Sequence, residues 1–149
     1  MRPANSELVS VAWLQSCPGI PANSVATQLP ADNTTWAASG FVKAGPVVGG
    51  GAGMYVGFNN PVIQIEAYAM NLNSKNPAWD KAADLMEYIR AGTLNYALLG
   101  FALTLRSGYR QAIVKTAYLT SEPRRIEGNT AGYAVMEADL ALGWVEIPG

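Results

Sequence analysis

The stretch PVIQIEAYAM, residues 61–70, alternates with a period of two. Ile63, Ile65, Ala67 and Ala69 fall on one side, and Val62, Gln64, Glu66, Tyr68 and Met70 on the other. That pattern predicts a strand with one face in the core and one face turned to solvent or to a partner. A glycine-rich run, VVGGGAGMYVGFNN, leads into it. Glycine loops at strand ends often cradle phosphate, but Gly49, Gly50, Gly51 and Gly53 do not fit the dinucleotide spacing, and no lysine with a following hydroxyl completes a P-loop. The run also precedes a strand, whereas phosphate loops join a strand to a helix N-terminus. It reads as a flexible connection that orders against a neighbour.

Working outward, the 149 residues suit one domain spanning residues 1–149. Half the chain is hydrophobic and only 14% is charged, which is lean for a small monomer and points to surface hidden by assembly. A net charge of −1 argues against a dedicated nucleic-acid binder. The single Cys17 excludes an intramolecular disulfide and suits a reduced cytoplasm. The start MRPANSELVS lacks the apolar core of a signal peptide, and no apolar run reaches the roughly 18 residues of a membrane span. Asn33-Thr34-Thr35 matches a glycosylation acceptor by chance. Histidine is absent, which removes the commonest general base and metal ligand.

SELVSVAWLQS, residues 6–16, predicts a helix capped by Asn5 or Ser6, with Leu8, Val11, Ala12 and Leu14 on its apolar face. CPGIP stops it. Residues 34–42 predict a strand. NPAWDKAADLMEYIRAG predicts the best helix, with Asn76 as N-cap, Pro77 in the first turn, Trp79, Ala82, Ala83, Met86 and Ile89 inward, and Gly92 at its close. Residues 94–105 carry apolar side chains at helical spacing, which Gly100 and the following RSGYR oppose. Residues 111–120 and 133–145 predict strands. The second has Ala134, Met136, Ala138, Leu140, Leu142 and Trp144 on one face, with Glu137 and Asp139 opposite. Thirteen residues at about 3.3 Å each span roughly 43 Å, so this strand bulges or reaches past its own subunit. The expected class is α+β: a mixed or largely antiparallel sheet with helices packed on one face.

Glu137 and Asp139 share a strand face and could hold a cation, but no third ligand is in view and a solvated face is the plainer reading. Cys17 lacks a base and reads as a small apolar residue. Arg106 to Arg125 hold five positive residues and one acid, while Ile126 to the end hold four acids and no positive charge. That segregation reads either as solvated surface or as complementary patches on neighbouring subunits.

Two longer stretches carry a family resemblance. LPADNTTWAASGFVKAGPVVGGGAGMYVGFNNPVIQIEAYAMNLNSKNPAWDKAADL and AYLTSEPRRIEGNTAGYAVMEADLALGWV resemble the tail terminator proteins of long, non-contractile-tailed bacteriophages, especially phages of actinobacteria. The match covers about residues 28–91 and 117–145 and rests on the order and spacing of LPADNTTW, GFV, VVGG, PVIQIEAYA, PAWDKAADL and EPRRIEG…GYA; GTLNYALLGFALTLRSGY follows the pattern least.

The resemblance implies a virion protein at the tail-neck junction, assembled in the host cytoplasm as a homo-hexameric ring on the head-proximal end of the tail tube. It implies contact with the tail tube protein and the head-tail connector or stopper protein, transient non-specific passage of genomic DNA, no membrane, no cofactor, no metal and no catalysis. Met54, Tyr55, Phe58, Asn59 and Asn60 in the loop, Glu66 and Tyr68 on the mixed strand face, Arg124 and Arg125 in the turn, and Glu137 and Asp139 are the expected partner contacts. The alternatives are another neck or tail component (a head-tail stopper or tube subunit) and, from a different class, a small enzyme or ligand-binding domain built on Glu137, Asp139 and the glycine loop.

Overall fold

A computed structural model describes residues 1–32, 34–51, 57–73, 76–126 and 133–148. Its centre is a pair of long antiparallel strands, β3 (Phe58–Met70) and β7 (Tyr133–Glu146), in one unbroken register from Phe58↔Val145 to Met70↔Tyr133. β2 (Phe41–Gly51) lies antiparallel on the outer side of β3, and β5 (Ala112–Leu119) antiparallel on the outer side of β7. Three two-residue strands finish the sheet. β1 (Val25–Ala26) runs parallel to β2, β4 (Ala102–Leu103) pairs with β5, and β6 (Arg124–Arg125) pairs with β7 beyond the end of β5. The class is the expected one, α+β with helices on one face of a mixed, mainly antiparallel sheet.

The alternation of residues 61–70 is realised as read. Ile63, Ile65, Ala67 and Ala69 are fully buried, as are Ala134, Ala138 and Leu140 beside them on β7. Two helices cover this face, α1 (Ser6–Ser16) and α2 (Trp79–Thr93), and a single buried cluster joins both to the sheet. At one end of the ribbon small side chains let α2 approach closely: Ala78 and Ala82 pack on Ala69 and Ala134. Each large apolar side chain buried from α2, such as Leu85, Met86 or Ile89, contributes about 1.5–3 kcal/mol.

Several expectations are corrected. Asn5 does cap α1, its Oδ1 accepting the Leu8 N–H at 3.0 Å, but the helix buries Val9, Ser10, Trp13 and Leu14. Leu8, Val11 and Ala12 are only partly covered, because α1 is apolar nearly all round and its other stripe meets the sheet. Residues 34–39 form turns rather than a strand. Trp36 and Ala37 fold under the far face of the sheet, and the strand begins at Phe41. The glycine run is not all loop: Gly49, Gly50 and Gly51 belong to β2 and pair with Val62, Pro61 and Asn60. Gly50 has φ +84°, and a side chain there would sit 2.7 Å from the Pro61 Cα.

Asn76 lies outside α2, whose N-cap is Ala78; Ala83 is exposed, and Gly92 sits buried inside the last turn. Residues 94–105 form a 3-10 turn, Tyr96–Leu98, followed by β4. The length of the 133–145 strand is absorbed without a bulge of its own, since β3 matches it along its length and β5 bulges instead between Val114 and Thr116.

Gly92 marks where α2 meets the end of α1. A methyl group there would stand 2.7 Å from the Cys17 sulfur. Gly92→Ala should therefore cost about 1–3 kcal/mol by overpacking, although alanine is the better helix former. Chemical denaturation of both proteins measures it, and an alanine variant of equal or greater stability would contradict this packing.

Candidate assembly surface

The sheet face opposite the helices carries Val62, Gln64, Glu66, Tyr68 and Met70 from β3. The β3–β7 register sets Ala141, Asp139, Glu137, Val135 and Tyr133 beside them. Glu66 and Glu137 are direct cross-strand partners, an arrangement of like charges that is destabilising unless cations flank it. They do. Lys43, opposite Glu66 on β2, places its Nζ 3.5 Å from Glu66 Oε1, and Arg124, opposite Glu137 on β6, pairs with Glu137 Oε1 through its Nη2. The result is one row across four strands with the sign order plus, minus, minus, plus.

Neighbouring groups complete the row. Arg124 also donates to Ser121 Oγ at 3.3 Å, and the same Oγ accepts the Asp139 N–H at 3.1 Å. The Tyr68 hydroxyl donates to Glu66 Oε2 at 3.2 Å. Burial, then the charge of Glu66 and its hydrogen bond, then the charge of Glu137, push the Tyr68 phenol up to about 12.

Beyond Tyr68 this face is closed by aromatic packing. Trp36 stacks on Tyr133 at 5.6 Å and meets Phe41 at 5.4 Å, while Tyr68 meets Tyr133 edge-on at 6.4 Å. At the other end, the Phe58 ring lies against Gly143, where a methyl group would stand 2.6 Å from the ring Cζ. Asn60 Oδ1 accepts the Gly51 N–H at 3.2 Å and ties β2 to β3 near the tip of their hairpin, and Asn59 Nδ2 donates to the Gly57 carbonyl at 3.2 Å. Val47, Val48 and Phe58 are exposed on this arm.

Of the residues read from sequence, the structure thus brings Glu66, Tyr68, Arg124, Glu137 and Asp139 onto one face, with Phe58, Asn59 and Asn60 at its hairpin end. Arg125 stands apart, its guanidinium 4.8 Å from the Trp79 ring centroid, where it fastens the strand to the start of α2. Met54 and Tyr55 lie outside the described residues, as do Asn33 and Gly53. The segregated charges of the C-terminal half meet within the chain: besides Arg124 with Glu137, Arg110 Nη1 lies 3.3 Å from Glu146 Oε1. The hairpin topology folds the basic segment back on the acidic one.

Little in the geometry resembles a reaction centre. A groove of about 630 Å³ runs between α1 and the short strands β1 and β4, lined by Leu8, Val11, Val25, Leu103 and Leu105 among others, and Arg106 is its one charged lining residue among those described. Cys17 is buried beneath α2, and burial pushes its thiol up to about 12, away from the reactive thiolate. Among the described residues no three acidic, cysteine or histidine side chains gather as a metal cage. No described helix is long and apolar enough to cross a membrane.

Sequence reasoning missed the four-strand charge row, the aromatic closure at Trp36 and the exposed group Leu94, Tyr96 and Phe101. Alternation revealed which residues share a strand face, but only register reveals which of them stand side by side.

No protein-family model matches the chain, and no curated protein matches it. A solved structure of the virion of a native gene transfer agent particle contains a chain of similar fold. The two share 11% identity with a TM-score of 0.56, over 95% of this chain and 96% of that one. At that identity the likeness establishes a shared fold along nearly the whole of both chains.

The Tyr68 environment gives a pH signature. Its phenol is held above the unfolded value of 10.0, so its contribution to stability is whole below pH 10 and is lost as pH rises toward about 12. Tyr68→Phe should flatten the alkaline fall in unfolding free energy across that window. An equally steep fall in the variant would show that burial and Glu66 do not hold the Tyr68 phenol up.

Proposed function

We propose that this chain is a structural protein of a phage-like virion, and within that class a tail terminator. In this reading it forms a homo-hexameric ring on the head-proximal end of the tail tube, ends tube growth, and offers its outer face to the head-tail connector or stopper protein. The observation that carries the reading is the fold shared end to end with a chain of the gene transfer agent virion. The sequence resemblance to tail terminators narrows the class. The low charge content and the apolar, exposed hairpin arm support a surface designed to be covered.

We assign the ring's contacts to Phe58, Asn59 and Asn60 on the hairpin arm, to the polar row of Glu66, Tyr68, Glu137, Asp139 and Arg124, and to Arg125 apart from it; Met54 and Tyr55, outside the described residues, are proposed as contacts from the sequence alone. Genomic DNA passes through such a ring in transit, and a chain of net charge −1 gives it no strong electrostatic hold. The protein acts by assembly and not by catalysis.

Light scattering over a range of concentrations, followed by mixing with polymerising tail tube protein, tests the reading. The expected result is one species of about 95 kDa, six copies of the 15.8 kDa chain, that caps tubes and shortens them. Open-ended polymers of this chain alone would instead mark a tube subunit. A chain that stays monomeric and leaves tube length unchanged would overturn the proposal.

A further inference from the structure

The sheet has two unfinished edges, and they lie at the same height. On the outer edge of β2, β1 covers only Val42 and Lys43. Pro46 lacks an N–H, and from Val47 to Gly51 no described strand pairs with that edge. On the outer edge of β5, β4 covers only Ala112 and Ile113, and the Gly100 N–H takes the Val114 carbonyl at 2.8 Å. From Lys115 to Leu119 no described strand pairs with it. The register across the sheet joins Val47, Ile63, Leu140 and Leu119 in one row, and Gly49, Val62, Ala141 and Tyr118 in the next. β1 and β4 therefore cover opposite ends of the sheet and leave two matching five-residue windows.

Strand direction makes the windows mutually compatible. β2, β3, β7 and β5 alternate in direction, and because they are four, the two edge strands run opposite ways. A second copy placed beside the first in the same orientation brings its β2 against β5 as an antiparallel pair. Charge agrees with this. Residues 44–65 contain no charged side chain and the β5 window contains only Lys115, so joining the two brings no like charges together. The exposed side chains also fit, since Tyr118, 58% exposed, would lie across from the glycines of β2, where an aromatic ring can cover a bare backbone. A strand edge left without a partner is a template for pairing with another chain.

We propose that the β2 window of one copy pairs with the β5 window of the next, so that the sheet continues from subunit to subunit as a heterologous, ring-closing seam. This deepens the ring reading and rests on it. A two-fold pairing of β2 with β2 would leave the β5 window empty; the head-to-tail seam fills both.

Cysteine cross-linking tests it cleanly, because Cys17 is the chain's single cysteine and is buried. Gly49 accepts a side chain, its nearest neighbour being the Val62 Cβ at 3.8 Å, and Val47 is exposed. Chains carrying Val47→Cys or Gly49→Cys are co-expressed with chains carrying Tyr118→Cys under a different tag, and the assembly is oxidised. Cross-linked hetero-tagged dimers are expected from one of the two mixtures, and a Gly49→Cys, Tyr118→Cys double variant should give a ladder of covalent oligomers. Val48→Lys with Tyr118→Lys should weaken assembly at least tenfold and leave the cooperative melt intact. A ring that forms without any such cross-link, or that survives both lysines, would overturn the seam and leave the ring reading standing. Cross-linking of Gly49→Cys chains to one another would replace it with a two-fold seam. A chain that stays monomeric and leaves tube length unchanged when tail tube protein is present would overturn both.

Discussion

The unbroken pairing of β3 with β7 is the constraint on which the rest of the molecule depends. Along its length one face is Ile63, Ile65, Ala67 and Ala69 against Leu140, Ala138, Met136 and Ala134, all buried except the half-buried Met136. Because the side-chain period is two, a slip of one residue would send that whole set to the opposite face. Size is graded along it: alanines at one end admit α2, and the branched side chains toward the other belong to the larger cluster shared with α1. The ribbon itself stays regular, and the flanking strands take up the bulges, β2 between Ala44 and Gly49 and β5 between Val114 and Thr116.

That fixed register also arranges the opposite face. It sets Glu66 against Glu137, which forces the chain to supply Lys43 and Arg124 as flanking cations. The row is a structural solution to a like-charge pair, and its members are largely satisfied within the chain. The surfaces left unsatisfied lie elsewhere, at the exposed hairpin arm and along the two open sheet edges. The unmet backbone donors and acceptors thus lie at the borders of the sheet, at matched heights on its two edges.

Much of this was legible in the sequence. Alternation in residues 61–70 and 133–145 identified both central strands, and Asn5 was readable as a cap. Other parts were hidden for physical reasons. The helix at residues 6–16 offers two apolar stripes, and only the position of the sheet selects Val9 and Trp13 over Leu8 and Val11. Glycines that read as mobility are, at Gly50, the consequence of a positive φ and a close backbone. The pairing of Arg124 with Glu137 in the same chain was hidden, because pairing between distant strands leaves no local trace in sequence. The unpaired windows were invisible for the same reason.

Hydrogen exchange of the free and assembled chain tests the central claim most directly. Amides within the β3–β7 ribbon should be the slowest to exchange in both states. Assembly should add protection at residues 47–51 and 115–119 together, the edges that the neighbouring subunit is held to complete. New protection confined to the outer face of α2, with both edges exchanging as before, would contradict the account.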